Sequence, residues 1–302
     1  MNNLITSLRS ELKDEPAVAV ATLVSATGSS SKKIGARMFV GASGKILGGV
    51  TIGGCVDSQV VEASDALIRE GGRRLLEISL DDDEAWEIGL TCGGTVEVVI
   101  ERVQPSNPAD PVVQAHQRAS TLLESGEVAE IVMPLGDGRE FVDRMTPPMT
   151  LLVVGAGQIA MSLTRIAREL DMKTIVIDGR DRYVTRERFP DADEIRLGMP
   201  SEIVASVPPT KQVAAILVAH DYKYELPVLR HLIRSPIGYL GMLGSKKRGA
   251  AVRDILRDEG FSDDEVARVR TPIGLDIGGK SPAEVALSIL AEVVAVRAGK
   301  RA

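Results

Sequence analysis

The feature that most constrains this chain is a short stretch beginning at Leu151. Four apolar residues, Leu151 to Val154, read as a buried strand and run into Gly155-Ala156-Gly157-Gln158-Ile159-Ala160, a GxGxxA pattern that opens a helix. That helix carries Ile159, Leu163, Ile166 and Leu170 at helical spacing, and a second strand, KTIVID, follows and ends at Asp178. Each part has a physical task. Gly155 permits the tight strand-to-helix turn, Gly157 lets backbone amides approach a pyrophosphate at the positive helix end, and Ala160 keeps helix and sheet close. Asp178 is placed to accept ribose hydroxyls. Further strand-like runs, AAILVAH and GYLGML, alternate with helical patterns. Such alternation predicts a Rossmann-like, doubly wound parallel sheet over residues 150–302. Gly155, Gly157 and Asp178 are its candidate nucleotide residues. The glycines would equally serve the turn alone, and Gly179-Arg180 after Asp178 leaves NAD and NADP undecided.

The first hundred residues have a different rhythm. Runs at 17–27, 36–40, 45–50, 74–80 and 95–103 are separated by glycines and predict strands, with one helix over 57–69 stopped by Gly71-Gly72. This predicts a smaller, mostly-β α+β domain over residues 1–103. Residues 104–149, bracketed by QPSNPADP and MTPPMT, read as a linker holding one helix and short strands.

The chain has 302 residues, 44% hydrophobic, 26% charged and 3% aromatic, which fits a folded α/β protein rather than a disordered one. No apolar run approaches the roughly 18 residues of a membrane span, and the first residues lack a secretory cleavage pattern, so a cytoplasmic protein without membrane contact is expected. Two cysteines with no CxxC spacing are too few for a disulfide framework or a zinc site. Residues 1–149 carry 13 basic and 22 acidic side chains, residues 150–302 carry 23 and 20. An acidic chain with few, scattered aromatics argues against nucleic-acid binding.

Both cysteines abut glycine pairs. Gly53-Gly54-Cys55 precedes a helix, and Cys92-Gly93-Gly94 precedes a strand. A thiol upstream of a helix has its thiolate favoured by the dipole, which makes Cys55 the more reactive candidate. Small buried hydrophobes are the alternative for both. The Gly28-Ser29-Ser30-Ser31-Lys32-Lys33 loop is either an anion cradle or a solvated hairpin. His220 and Asp221 end a strand at the edge where open α/β sheets bind ligands, so His220 is a candidate proton-transfer residue or an ordinary loop histidine. Ser245 reads as an N-cap followed by Lys246, Lys247 and Arg248, cations that oppose the helix dipole and suggest a phosphate site or a solvated face. Ser281, Pro282 and Glu284 form a capping box before a helix apolar around most of its circumference.

Taken together, TGSSSKKIGARMFV, GGCVDSQVVEA, LTCGGTVEVVIE, VVGAGQIA, HDYKYELPVL, YLGMLGSKKR and PIGLDIGGKSPAEVALSILAE resemble the XdhC/CoxI family of molybdenum-hydroxylase maturation factors. The resemblance implies a chaperone that binds the molybdenum cofactor (molybdopterin), supports its sulfuration with a cysteine desulfurase, and inserts it into a xanthine dehydrogenase-like molybdoenzyme. It further implies that Cys55 and Cys92 face the metal, with Gly53, Gly54, Gly93, Gly94 and polar or basic residues including Ser245, Lys246 and Lys247 around the rest of the cofactor. Asp57 stands where the family often has glutamate. A homodimer is expected. The competing expectation is an NAD(P)-dependent oxidoreductase with His220 relaying a proton.

Overall fold

The computed structural model describes residues 12–27, 34–50, 54–80 and 94–300, with Gly54, Cys55 and Leu80 described by backbone alone. The chain divides into two compact units, Met1–Pro147 and Pro148–Ala302. Among the described residues no helix is long and apolar enough to cross a membrane.

In the first unit the nearly unbroken apolar run Val18–Ala26 forms β1, which is buried on both faces because it is the central strand. Around it lie β2 (Arg37–Gly41), β3 (Ile46–Gly48), β4 (Arg73–Leu80) and β5 (Gly94–Val103), in the order β3-β2-β1-β5-β4 and antiparallel throughout. Helix α1 (Gly54–Glu70) covers one face, where Val56, Val60 and Leu67 pack on Ala19, Ala21 and Val98. The opposite face is covered by α2 (Pro111–Glu124) and by the hairpin β6 (Ala129–Pro134) and β7 (Glu140–Met145). Asp110 caps α2 by accepting from the N–H groups of Val112 and Val113. A buried ion pair between Arg37 of β2 and Asp143 of β7 ties hairpin to sheet.

Beside that ion pair, His116 of α2 is only 4% exposed. Burial, reinforced by the Arg37 charge, pushes its pKa down to about 3. The imidazole is neutral when folded, whereas in the unfolded chain it protonates near 6.5. The sign follows: a depressed folded pKa gives stability that is complete above about pH 6.5 and is lost as pH falls toward 3, at up to about 1.4 kcal/mol per pH unit. His116→Gln is therefore expected to flatten the fall of the urea midpoint between pH 7 and 4.5, measured by circular dichroism on the intact chain.

The second unit is a six-stranded, wholly parallel sheet: β8 (Thr150–Val154), β9 (Lys173–Asp178), β10 (Glu194–Leu197), β11 (Val213–Leu217), β12 (Tyr239–Met242) and β13 (Val269–Arg270). Their order is β10-β9-β8-β11-β12-β13, so the chain reverses direction of travel between β8 and β11. Helices α3 (Gln158–Glu169) and α8 (Pro282–Arg297) pack on one face. The other carries α4 (Pro200–Ala205), α5 (Tyr222–Leu232), α6 (Lys246–Asp258) and α7 (Asp263–Ala267). The doubly wound parallel sheet beside a mostly-β unit is the architecture the sequence predicts.

The buried face of α3 includes the expected Leu163, with Ile159 and Ile166 half-buried beside it, and departs from expectation at Leu170. Ala160, Leu163, Thr164 and Ala167 are buried, whereas Leu170 is exposed. Small residues face inward because α3 packs closely against both the sheet and α8, and small side chains allow that approach. Helix α8 buries Ala286, Ile289, Leu290 and Val293, and leaves Leu287 at 51% exposure.

Candidate functional site

In a parallel sheet the reversal of strand order opens a crevice at the carboxyl ends of the strands, here beside β8 and β11. The glycine turn after β8 lies there. Gly155 has φ +109°, and a Cβ on it would stand 2.6 Å from backbone atoms of Ala219, which follows β11. The turn and the β11 loop are thus in direct backbone contact. Gly157 is the N-cap of α3, has no side-chain cap, and faces open space where a Cβ would meet nothing within 4 Å.

Asp178 ends β9 and is 0% exposed. One carboxylate oxygen accepts from the Ala156 N–H (2.8 Å) and the Arg180 guanidinium (2.7 Å). The other accepts from the Arg180 N–H (3.0 Å) and Nε (2.9 Å). Burial acts to raise its pKa, but these hydrogen bonds outweigh it and hold the carboxyl below its ordinary value. Its accepting directions are all used by its own chain.

Across the reversal point, His220 sits in the left-handed region at φ +57°. Its N–H donates to Glu225 of α5 (3.0 Å), a carboxylate with 0% exposure that is paired with Arg248 at 2.6 Å. The imidazole is at the surface, yet partial desolvation and then the Arg248 charge lower its pKa, which keeps it neutral at pH 7. Ser245 does cap α6, accepting from the Arg248 N–H. Of the three cations there, Lys246 and Lys247 point to solvent, while Arg248 turns inward to Glu225, the Leu243 carbonyl and the Tyr222 ring. Glu225 escaped the sequence reading; its one signal is a lone acid amid the apolar positions of α5.

The loop between β13 and α8 is anchored by Glu292, which accepts from Arg270, the Gly274 N–H and the Tyr239 hydroxyl. Burial and the Glu292 bond push the Tyr239 hydroxyl pKa far up, so it stays a donor. Ser281 and Glu284 form the expected capping box.

In the first unit the register orders the strand ends that flank the candidate segments. The register pairs Ala26 with Val96, Thr22 with Arg37, Met38 with Gly48 and Leu80 with Gly94. The ends of β1, β3 and β4, and the starts of β2 and β5, therefore lie at one end of the sheet. Thr27 closes that end by exchanging hydrogen bonds with Thr95. Cys55 lies in the first turn of α1, and Asp57 closes the preceding loop by accepting from the Val50 N–H at 3.1 Å. Gly54 begins that helix and Gly94 begins β5. Gly53, Cys92, Gly93 and the Ser29–Lys33 loop lie outside the described residues. Among the described residues no cluster of three or more His, Cys, Asp or Glu is placed to hold a metal.

Comparison with known proteins agrees in both units. Residues 151–293 match the family model described as the XdhC Rossmann domain, and residues 12–79 match that of the XdhC and CoxI family. The chain belongs to the XdhC/CoxI family. A relative in Bacillus subtilis, described as a probable subunit of xanthine dehydrogenase, is 25% identical over 98% of each chain. The Escherichia coli protein PaoD, described as a molybdenum cofactor insertion chaperone, is 28% identical over 92% of this chain and 83% of its own. A crystal structure described as a xanthine dehydrogenase from Bacillus halodurans shares the fold with a TM-score of 0.83 at 24% identity, over 100% of this chain and 97% of that one.

Proposed function

We propose that this member of the XdhC/CoxI family takes up the molybdenum cofactor and delivers it to a xanthine dehydrogenase-like molybdoenzyme. The observation that supports this reading is the strand register, which sets the ends of β1 and β4, the start of β5 and the neighbouring end of β3 at one end of the first unit's sheet, while Cys55 lies in the first turn of the helix that follows β3. The full-length likeness to a relative described as an insertion chaperone supports it.

The donor chemistry fits that cargo. Thiolates are soft ligands suited to a molybdenum–sulfur centre, and ammonium and backbone N–H groups suit a phosphate. Cys55 and Cys92 would hold the metal end, and Lys32 and Lys33 the phosphate end. Bound there, the cofactor would supply the metal centre that receives sulfur. In this reading the sulfur comes from a cysteine desulfurase. For its part the chain places Cys55 in the first turn of α1, where Asp57 accepts from the Val50 N–H at 3.1 Å.

The test is activation of the client enzyme in cells expressing Cys55→Ala/Cys92→Ala. Client activity should fall to the level seen without the accessory protein while the variant's circular dichroism stays that of the wild type. Full activation by the double variant contradicts the reading.

A further inference from the structure

The carboxyl edge of the parallel sheet concentrates aromatic and guanidinium groups that the maturation role does not use. The chain has four tyrosines, and three of them, Tyr183, Tyr222 and Tyr224, follow β9 or open α5 at this edge. The Arg180 guanidinium stands 4.0 Å from the centre of the Tyr183 ring, and that of Arg188 stands 4.9 Å from it. Tyr224 packs on Gly179, its hydroxyl 2.6 Å from where a Cβ there would be. Flat side chains and guanidinium planes at one rim suit a flat heterocycle joined to an anion.

A dinucleotide lying across a reversal point of this kind sets its adenosine ribose beyond the second strand of the unit, here β9. Recognition of an unmodified ribose there needs a free acceptor for its hydroxyls. Asp178 is none, since its carboxylate already takes two bonds on each oxygen from Ala156 and Arg180. The cations just beyond it are in the opposite condition. Among the described residues no carboxylate lies within ion-pair distance of Arg182 or Arg188; the Arg188 guanidinium donates to the Ala156 carbonyl at 3.1 Å and approaches the Met161 sulfur. Arg188 thus bridges the glycine turn and Tyr183 with its charge uncompensated.

We propose that this edge binds an adenine dinucleotide phosphorylated on its ribose, with the 2′-phosphate received by Arg182 and Arg188 around Tyr183, and discriminates against the unphosphorylated form. A phosphate brings its own acceptors and its own charge to a rim that offers donors and positive charge. A bare diol brings no charge for these cations to pair with.

Isothermal titration of the full-length chain with NADP⁺, NAD⁺, 2′,5′-ADP and 5′-AMP tests this without any molybdenum cofactor, so its failure leaves the maturation role untouched. NADP⁺ is expected to bind at least about tenfold tighter than NAD⁺, and 2′,5′-ADP tighter than 5′-AMP by a similar factor. Arg188→Gln and the exposed Arg182→Gln, each with an unchanged melting temperature, should lower the NADP⁺ affinity toward that of NAD⁺. Equal affinities, a preference for NAD⁺, no binding of any probe at millimolar concentration, or a preference that survives both substitutions overturns the proposal.

Discussion

Replacing Gly155 with alanine is expected to destabilise the second unit by at least about 3 kcal/mol, enough to leave it largely unfolded under mild denaturant. Two causes act together. The residue has φ +109°, a conformation that L side chains rarely adopt, and its Cβ would be driven to 2.6 Å from the backbone of Ala219. Backbone cannot rotate aside as a side-chain tip does, so the contact between the β8 turn and the β11 loop must break. Gly157→Ala is the matched control. Its φ is −83° and its surroundings are open, so the loss should stay within about 1 kcal/mol, the ordinary cost of alanine at an N-cap. Urea unfolding of the two variants side by side measures the difference. Equal losses would mean that the close approach at the reversal point is not what holds the turn.

Glu225→Ala is the second large effect, expected to cost about 3–5 kcal/mol. The carboxylate is fully buried, pairs with Arg248 at 2.6 Å and accepts the His220 N–H at 3.0 Å. Its removal leaves a guanidinium whose side chain is only 15% exposed without its counter-charge, and frees the left-handed turn at His220. Glu225→Ala/Arg248→Met removes both charges together and should recover most of the loss. Thermal and urea unfolding of the three proteins decide it. A single variant as stable as the wild type would show that the pair carries no weight in the fold.

Much of this arrangement was legible in the sequence because it rests on local rules. A strand, a GxGxxA turn, a helix and an acid-ended strand follow one another from Leu151 to Asp178 within the span a βαβ unit needs, and the structure places them so. The caps at Ser245 and Ser281 were readable for the same reason, since a hydroxyl and the N–H groups it serves lie within three residues. Long-range choices were not readable. Periodicity marked α3 as amphipathic and put Leu163 on its core face, with Ile159 and Ile166 half-buried beside it, but it did not pick out Ala160 and Ala167, which complete that face because α8, more than a hundred residues away, packs there. Asp178 illustrates the same limit for the site. Its position at a strand end suggests a ribose acceptor, and only the fold shows that the Arg180 side chain curls back to occupy it. Glu225 and Glu292 gave almost no signal, because a single buried acid inside a helix looks like a surface residue until its partners are known. The short elements β10, α4 and β13 were unread because runs of two to six residues carry no usable period.

In the first unit the strands were legible from alternation and glycine punctuation, but the order β3-β2-β1-β5-β4, which decides which strand ends are neighbours, was not. That order brings the start of β5 beside the ends of β1 and β4. That this end receives the molybdenum cofactor is our proposal. It is tested most directly by purifying the chain from molybdate-fed cells, measuring molybdenum by elemental analysis, and measuring oxidised pterin by fluorescence in the same sample. Near-equal molybdenum and pterin, both lost in Cys55→Ala/Cys92→Ala, is the expected result; wild-type protein that carries neither, or a double variant that carries both at the wild-type level, contradicts it.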